Sequence, residues 1–203
     1  MNKLIVEFIG TFFLVQAVGY AALTKSALGG LAVGVMLMVM VYAGGHISGA
    51  HYNPAVSLAV WLRGKLSKTD LLPYIAAQVA GAVVSALVVT HFRGQGSEAV
   101  LNNPLRVAGA EFLGTFALAW VVLNVATAKG TAGNSYFGAA IGMTVAAGIF
   151  LFGGISGAVF NPAVALAGGI LNLLPLKTVA LYIVVCAVAA LAAAKLFLRI
   201  EKR

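Results

Sequence analysis

One decapeptide recurs almost unchanged in this chain. Ile47-Ser48-Gly49-Ala50-His51-Tyr52-Asn53-Pro54-Ala55-Val56 returns as Ile155-Ser156-Gly157-Ala158-Val159-Phe160-Asn161-Pro162-Ala163-Val164, at an offset of 108 residues. Asn caps helices with its side-chain oxygen, and Pro is pre-set for the first helical position, so each Asn-Pro-Ala predicts an abrupt helix start. The apolar stretches that follow, 53–62 and 161–170, are short. About ten helical residues rise roughly 15 Å, half of a ~30 Å hydrocarbon core. Such a helix enters a membrane without crossing it. Non-helical backbone at that depth survives only against protein or a wet cavity, which limits the possible folds severely.

A membrane is required by the rest of the chain. It is 62% hydrophobic and 9% charged, with a mean hydropathy of +1.02, more apolar surface than a soluble domain of 203 residues needs. Six stretches, about 4–23, 28–45, 70–91, 106–127, 136–153 and 177–198, reach the roughly 20 residues of a full span. The expected fold class is therefore an all-α membrane protein with six transmembrane helices and two half-membrane helices. The net charge of +8 comes from basic residues at the ends of apolar runs. That placement fits membrane orientation, not nucleic-acid binding. Cys186, the single cysteine, lies in an apolar run and is expected to pack. The start, Met1-Asn2-Lys3 before an apolar stretch, has the outline of a signal peptide. Its Glu7-Phe-Ile-Gly-Thr-Phe recurs inside the chain as Glu111-Phe-Leu-Gly-Thr-Phe, so a retained helix is expected.

Gly30 and Gly34 match Gly138 and Gly142, and Tyr74 matches Tyr182, at the same offset of 108; Glu7 and Glu111 are 104 apart. One channel-forming domain over 1–203 is expected, built from repeats at about 1–95 and 106–203. Each repeat contributes three spans, an odd number, so the second enters from the opposite side and the repeat is inverted. The two half-helix starts then meet near the midplane. Basic residues set the orientation. Lys3, Arg63, Lys65, Lys68, Lys129, Lys195, Arg199, Lys202 and Arg203 fall on the N-terminal face, against Lys25, Arg93, Arg106 and Lys177 on the other. Both termini are expected in the cytoplasm, and compact connections point to a bacterial inner membrane. The longest connection, around 92–105, carries Arg93, Gly94, Gly96, Glu98 and Pro104 and reads as an exposed loop.

Backbone N–H groups at a helix start lack partners within the helix. Asn53 and Asn161 are each expected to cap with the oxygen and leave their NH2 free to donate to a passing water or hydroxyl. The two helix dipoles add about half a positive charge each at the same level. Cations are disfavoured there and a proton-conducting water chain is interrupted, while a neutral molecule loses little.

On these residues the chain resembles the major intrinsic proteins, the aquaporins and glycerol facilitators. The resemblance is carried by Asn53-Pro54-Ala55 and Asn161-Pro162-Ala163, by Gly45-His46-Ile47-Ser48-Gly49 and by the Glu-Phe-x-Gly-Thr-Phe openings, and it extends along the whole length. It implies one pore per subunit, a homotetramer, and a buried role for Glu7 and Glu111, which accept hydrogen bonds from the loops leading to the half-helices. It also marks a departure. Typical members place Arg directly after the second Asn-Pro-Ala; here Val164 stands there. The other positions of the family's outer constriction align with Val33, Ile149 and Ala158. Replacing Arg and His by apolar side chains removes rigid donors and a fixed charge. The expected result is a poorly water-selective pore for small neutral solutes such as glycerol, undissociated metalloid acids, ammonia or peroxide. An ordinary water-selective channel is the alternative within the family.

His46 and His51 precede the first half-helix and are expected to line the inner vestibule, His51 as a neutral, hydrogen-bonded ring; His91 ends a helix at the surface. The histidines have no acidic or thiol partners at ligand spacing, so neither a metal nor a cofactor is expected. The Gly30/Gly34 and Gly138/Gly142 pairs have small-xxx-small spacing and predict two helices crossing at the pseudo-two-fold axis. Trp61, Trp120 and the tyrosines read as lipid or interface anchors. Inverted repeats with broken helices also build secondary transporters. Those need an ionisable coupling residue at the substrate site, and none is expected beside Asn53 or Asn161. A closed-pore scaffold would need a larger exposed surface than these loops offer. No catalytic cluster points to an enzyme. The expected partners are the lipid bilayer and the permeant solute.

Overall fold

A computed structural model describes residues 1–99 and 103–201. Among them the chain forms α1 (Asn2–Thr24), α2 (Gly29–Ser48), α3 (Pro54–Leu62), α4 (Lys68–Arg93), α5 (Pro104–Thr127), a short 3-10 turn (Lys129–Thr131), α6 (Phe137–Ser156), α7 (Pro162–Ile170) and α8 (Leu176–Glu201). The helices α1, α2, α4, α5, α6 and α8 are long and apolar enough to cross a membrane. The other two, α3 and α7, have nine residues each, a rise of about 13 Å at ~1.5 Å per residue. The order α1–α4 is repeated by α5–α8.

Helices α2 and α6 run past their expected ends, as do α4 and α8. Apolar periodicity fades at Gly44-Gly45 and Gly153-Gly154, yet α2 continues to Ser48 and α6 to Ser156. Each stops where a glycine, Gly49 (φ 87°) or Gly157 (φ 82°), takes the left-handed conformation and returns its N–H to a carbonyl four residues back. Glycine adopts that conformation without steric cost, which makes it an effective helix stop.

The inverted repeat is visible in which ends share a face. The start of α1 (Lys3), the end of α2 (Ser48), the start of α4 (Asp70), the end of α5 (Thr127) and the start of α6 (Phe137) all line one cavity on the N-terminal face. Helices α1 and α5 therefore run in opposite directions. At the centre α2 crosses α6. A Cβ on Gly34 would lie 2.6 Å from both the Ala146 Cβ and the Gly142 carbonyl, and one on Gly30 would lie 2.8 Å from the Ile149 side chain. Gly138 gives equivalent room to the Tyr42 ring, and Gly142 faces the Gly34 carbonyl and Met38. The half-helices exchange partners: α3 packs mainly on α8, and α7 on α4. The two repeats are thereby locked together.

The loop after α4 is tied down, not merely exposed. Gly96 N–H donates to the Leu171 carbonyl (2.9 Å), Ala99 N–H to Leu173 (3.0 Å), and Asn172 Nδ2 to Gly96 (3.0 Å). Lys202 and Arg203, counted above in the charge balance, lie outside the described residues.

Candidate functional site

Both half-helices begin as their Asn-Pro pairs predict. Asn53 Oδ1 accepts from Ala55 N–H (2.8 Å), Asn161 Oδ1 from Ala163 N–H (2.9 Å), and each proline takes the first helical position. The amide groups differ from expectation. Asn53 Nδ2 donates to the Phe160 carbonyl and Asn161 Nδ2 to the Tyr52 carbonyl, both at 2.9 Å. Each NH2 therefore spends one hydrogen across the repeat boundary and keeps one, because a carboxamide carries two donors. The reciprocal pair brings the half-helix tips together and fixes their orientation.

Behind each tip lies a buried carboxylate. Glu7 accepts from Ser48 Oγ (2.7 Å), His51 N–H (3.0 Å), Tyr52 N–H (2.7 Å) and Gln78 Nε2 (2.7 Å). Glu111 accepts from Ser156 Oγ (2.6 Å), Val159 N–H (2.9 Å) and Phe160 N–H (2.7 Å). A charge inside a membrane protein needs such partners, and here they include the N–H groups of the two loop residues just before each asparagine. To aim those groups the chain accepts strain: Ala50, Tyr52, Ala158 and Phe160 all have φ of 50–52° without being glycine, which costs of order 1–3 kcal/mol per residue.

The motif that carries each carboxylate also makes room. A Cβ on Gly10 would overlap the Tyr52 ring and one on Gly114 the Phe160 ring. In Glu-Phe-x-Gly, Glu and Gly are three apart and share one helix face, so one residue holds the loop's backbone and the other admits its aromatic ring. Tyr52, Tyr74 and Tyr182 are accordingly buried, not lipid anchors. Tyr52 donates to the Met40 carbonyl, Tyr74 to Ser48, and Tyr182 to Ser156. Trp61 and Trp120 are half-buried, with Trp120 stacked on Phe116.

A cavity of about 220 Å³ runs along these tips. Asn53 and Asn161 line it, together with Val33, Ile149, Ala158 and Val164, and it continues past those four toward Ser26 and Ala22 on the opposite face. On the N-terminal face lies a vestibule of about 780 Å³ with His46, Lys3, Lys65 and Lys129 in its wall. His51 borders both cavities. The expectation that no ionisable group adjoins the asparagines is thus corrected: the turn of the loop sets His51 beside Asn53. Its Nδ1 is 3.0 Å from Ser57 Oγ.

The two repeats are not chemically equal. At matched positions, Gln78 faces Cys186, Ser57 faces Ala165, and His51 faces Val159. The first repeat has a polar chain, Glu7–Gln78–Ser57–His51, with Gln78 Nε2 donating to Ser57 Oγ at 2.8 Å. In the second, Cys186 accepts from Thr115 (3.2 Å) and stands 4.0 Å from Glu111. Reading the sequence missed Gln78 and Ser57. Gln78, a carboxamide inside an apolar span, was the available signal.

An all-helical membrane protein whose two half-helices meet tip to tip across an inverted repeat is the class that this fold and site define. The chain belongs to the major intrinsic protein family, whose model matches residues 1–149 and 98–203. Among curated relatives it is 38% identical over 175 residues to aquaporin NIP1-3 of Oryza sativa subsp. japonica, covering 80% of this chain and 61% of that one. It is 37% identical over 184 residues to aquaporin NIP3-1 of Arabidopsis thaliana, covering 80% of this chain and 56% of that one. The chain thus spans about three fifths of the length of the curated relatives it matches. The X-ray structure of the aquaglyceroporin from Plasmodium falciparum has the same fold, with a TM-score of 0.80 at 21% identity over 96% of this chain and 93% of that one.

Proposed function

We propose that this protein is a passive transmembrane channel for small neutral solutes, including water, that excludes ions and protons at the paired Asn-Pro-Ala site. The observation that carries the reading is the reciprocal Asn53–Phe160 and Asn161–Tyr52 pairing. It leaves one N–H of each asparagine and both positive helix ends facing a cavity. A neutral hydroxyl or water finds donors at that level, whereas a cation meets the positive ends of two dipoles. Asn53, Pro54, Ala55, Asn161, Pro162 and Ala163 form the pore midplane. Glu7 and Glu111 hold the loops, and Gly30, Gly34, Gly138 and Gly142 hold the crossing.

Val33, Ile149, Ala158 and Val164 form the outer ring. It offers no side-chain donor and no fixed charge, which favours glycerol, undissociated metalloid acids, ammonia and peroxide alongside water. The transporter reading is weaker even with His51 at the cavity, because a cavity continuous through the outer ring favours free permeation. The chain would act as one domain of two inverted repeats, assemble as a homotetramer with a pore in each subunit, and sit in a cell membrane with its N-terminal face toward the cytoplasm. Its compact loops suit a bacterial inner membrane. Stopped-flow flux of water, glycerol and arsenous acid in proteoliposomes tests the proposal. Fast flux of all three is expected; water flux with both solutes excluded would return the protein to the ordinary water-selective class.

A further inference from the structure

The two cavities share two lining residues, His51 and Val122. Everything else in their walls belongs to one or the other. The central cavity is lined by Val33, Ile149, Ala158 and Val164 as well as by both asparagines, and it meets the inner vestibule at this pair. The junction of the two cavities therefore lies on the N-terminal side of the asparagines, away from the outer ring. Both residues are buried. They come from different elements: His51 from the loop between α2 and α3, Val122 from α5.

The pseudo-symmetry gives an internal comparison. At an offset of 108 His51 corresponds to Val159, and at 104 Val122 corresponds to Val18. Val18 and Val159 line only the central cavity, so the matched place in the other half remains open. What distinguishes the inner place is an imidazole held by a chain of hydrogen bonds. Gln78 Nε2 donates to Glu7 Oε2 (2.7 Å) and to Ser57 Oγ (2.8 Å). An amide turned the other way would set its oxygen against the carboxylate. Ser57 Oγ is in turn hydrogen-bonded to His51 Nδ1 (3.0 Å), which fixes the plane of the ring and leaves Nε2 as its second nitrogen. That nitrogen has no hydrogen-bond partner among the described residues, and His51 lines both cavities. It is available to a permeating molecule.

We propose that His51 and Val122 form the discriminating constriction of this channel, with Ser57 and Gln78 as positioning residues. The selectivity that a ring of donors would provide at the outer mouth is exercised here, on the N-terminal side of the midplane, by an opening with one polar and one apolar wall. Such an opening suits a polyol, which turns its hydroxyls to the imidazole and its carbon chain to the valine, and it limits size through Val122. The inference rests on the channel reading above.

The test measures water, glycerol and erythritol flux in proteoliposomes of the wild type, Val122→Ala, Val122→Phe, Ser57→Ala and Ile149→Ala. Val122→Ala is expected to raise the erythritol-to-water ratio at least threefold, and Val122→Phe to lower glycerol flux at least tenfold. Ile149→Ala is expected to change all three fluxes together, their ratios staying within twofold. Ser57→Ala, which frees the ring without touching the pore, should lower the glycerol-to-water ratio. Ratios that follow position 149 and ignore position 122 overturn the constriction. A wild type with no neutral-solute flux above lipid background overturns the channel reading itself, so the two failures are distinct.

Discussion

At the scale of single residues, Glu7 and Val164 show how much depends on one functional group. Glu7 Oε2 accepts from both Tyr52 N–H and Gln78 Nε2. Glu7→Gln would set an NH2 against one of those donors and leave it unsatisfied in the protein interior, at about 1–3 kcal/mol per stranded group. A lowered midpoint in thermal unfolding in detergent is the expected outcome. Ser48→Ala, which removes a donor to Oε1 and the acceptor of Ala50 N–H, should lower the midpoint as well, at a cost of about 1–3 kcal/mol. Val164→Arg would place a guanidinium in the cavity wall that Val33, Ile149 and Ala158 share. Its bulk and donors should cut glycerol and arsenous acid flux more than water flux, measured by stopped-flow. Equal loss for all three would show that position 164 does not face the permeants. These positions were legible in the sequence because the repeat marks them. Val122, Ser57 and Gln78 were not, since a valine in an apolar span looks like lipid-facing packing until its neighbours are known. The αL turns at Ala50 and Tyr52 were equally hidden, because no glycine announces them.

Elements meet here through small residues and through their ends. The α2–α6 crossing leaves no space for a side chain at Gly34, where a Cβ would lie 2.6 Å from Ala146 Cβ. Gly34→Leu should therefore abolish the peak of folded protein in size-exclusion chromatography. Gly109→Ala, on the exposed face of α5 with nothing within 4 Å of its Cβ, should be tolerated and slightly stabilise the helix, by roughly 0.5–1 kcal/mol. The small-xxx-small spacing is the sequence signal for such a contact because that pattern has a direct steric meaning. The exchange of half-helices, α3 onto α8 and α7 onto α4, had no such signature. Their apolar faces are uniform, and nothing local says which repeat each must join. One ionic tie reinforces the first exchange: Arg63, just past α3, pairs with Glu201 of α8 at 2.6 Å and lies over the Phe197 ring. The pair is partly solvated, and an exposed pair of this kind contributes little.

For the whole molecule, the inverted repeat converts two similar local instructions into one site. Each half brings a capped helix start, and opposed entry from the two faces makes the starts meet. A channel built this way should conduct neutral solutes without saturation and with a low activation energy. It should carry no measurable proton current when a pH gradient is imposed across dye-loaded proteoliposomes. Proton leakage comparable to solute flux would remove the role assigned to the midplane dipoles. The sequence alone determined the number of spans, the half-length of α3 and α7, their starting points and the pairing of the repeats. Those features follow from hydropathy, helix rise and the capping chemistry of Asn-Pro, all of which act within a few residues. Only the tertiary structure decided which carbonyls take the asparagine amides, and that His51, with a tethered ring, stands where the two cavities meet while Val159 lines only one. Those outcomes depend on groups more than 60 residues apart in the chain coming within bonding distance, and local pattern carries no information about distance in space.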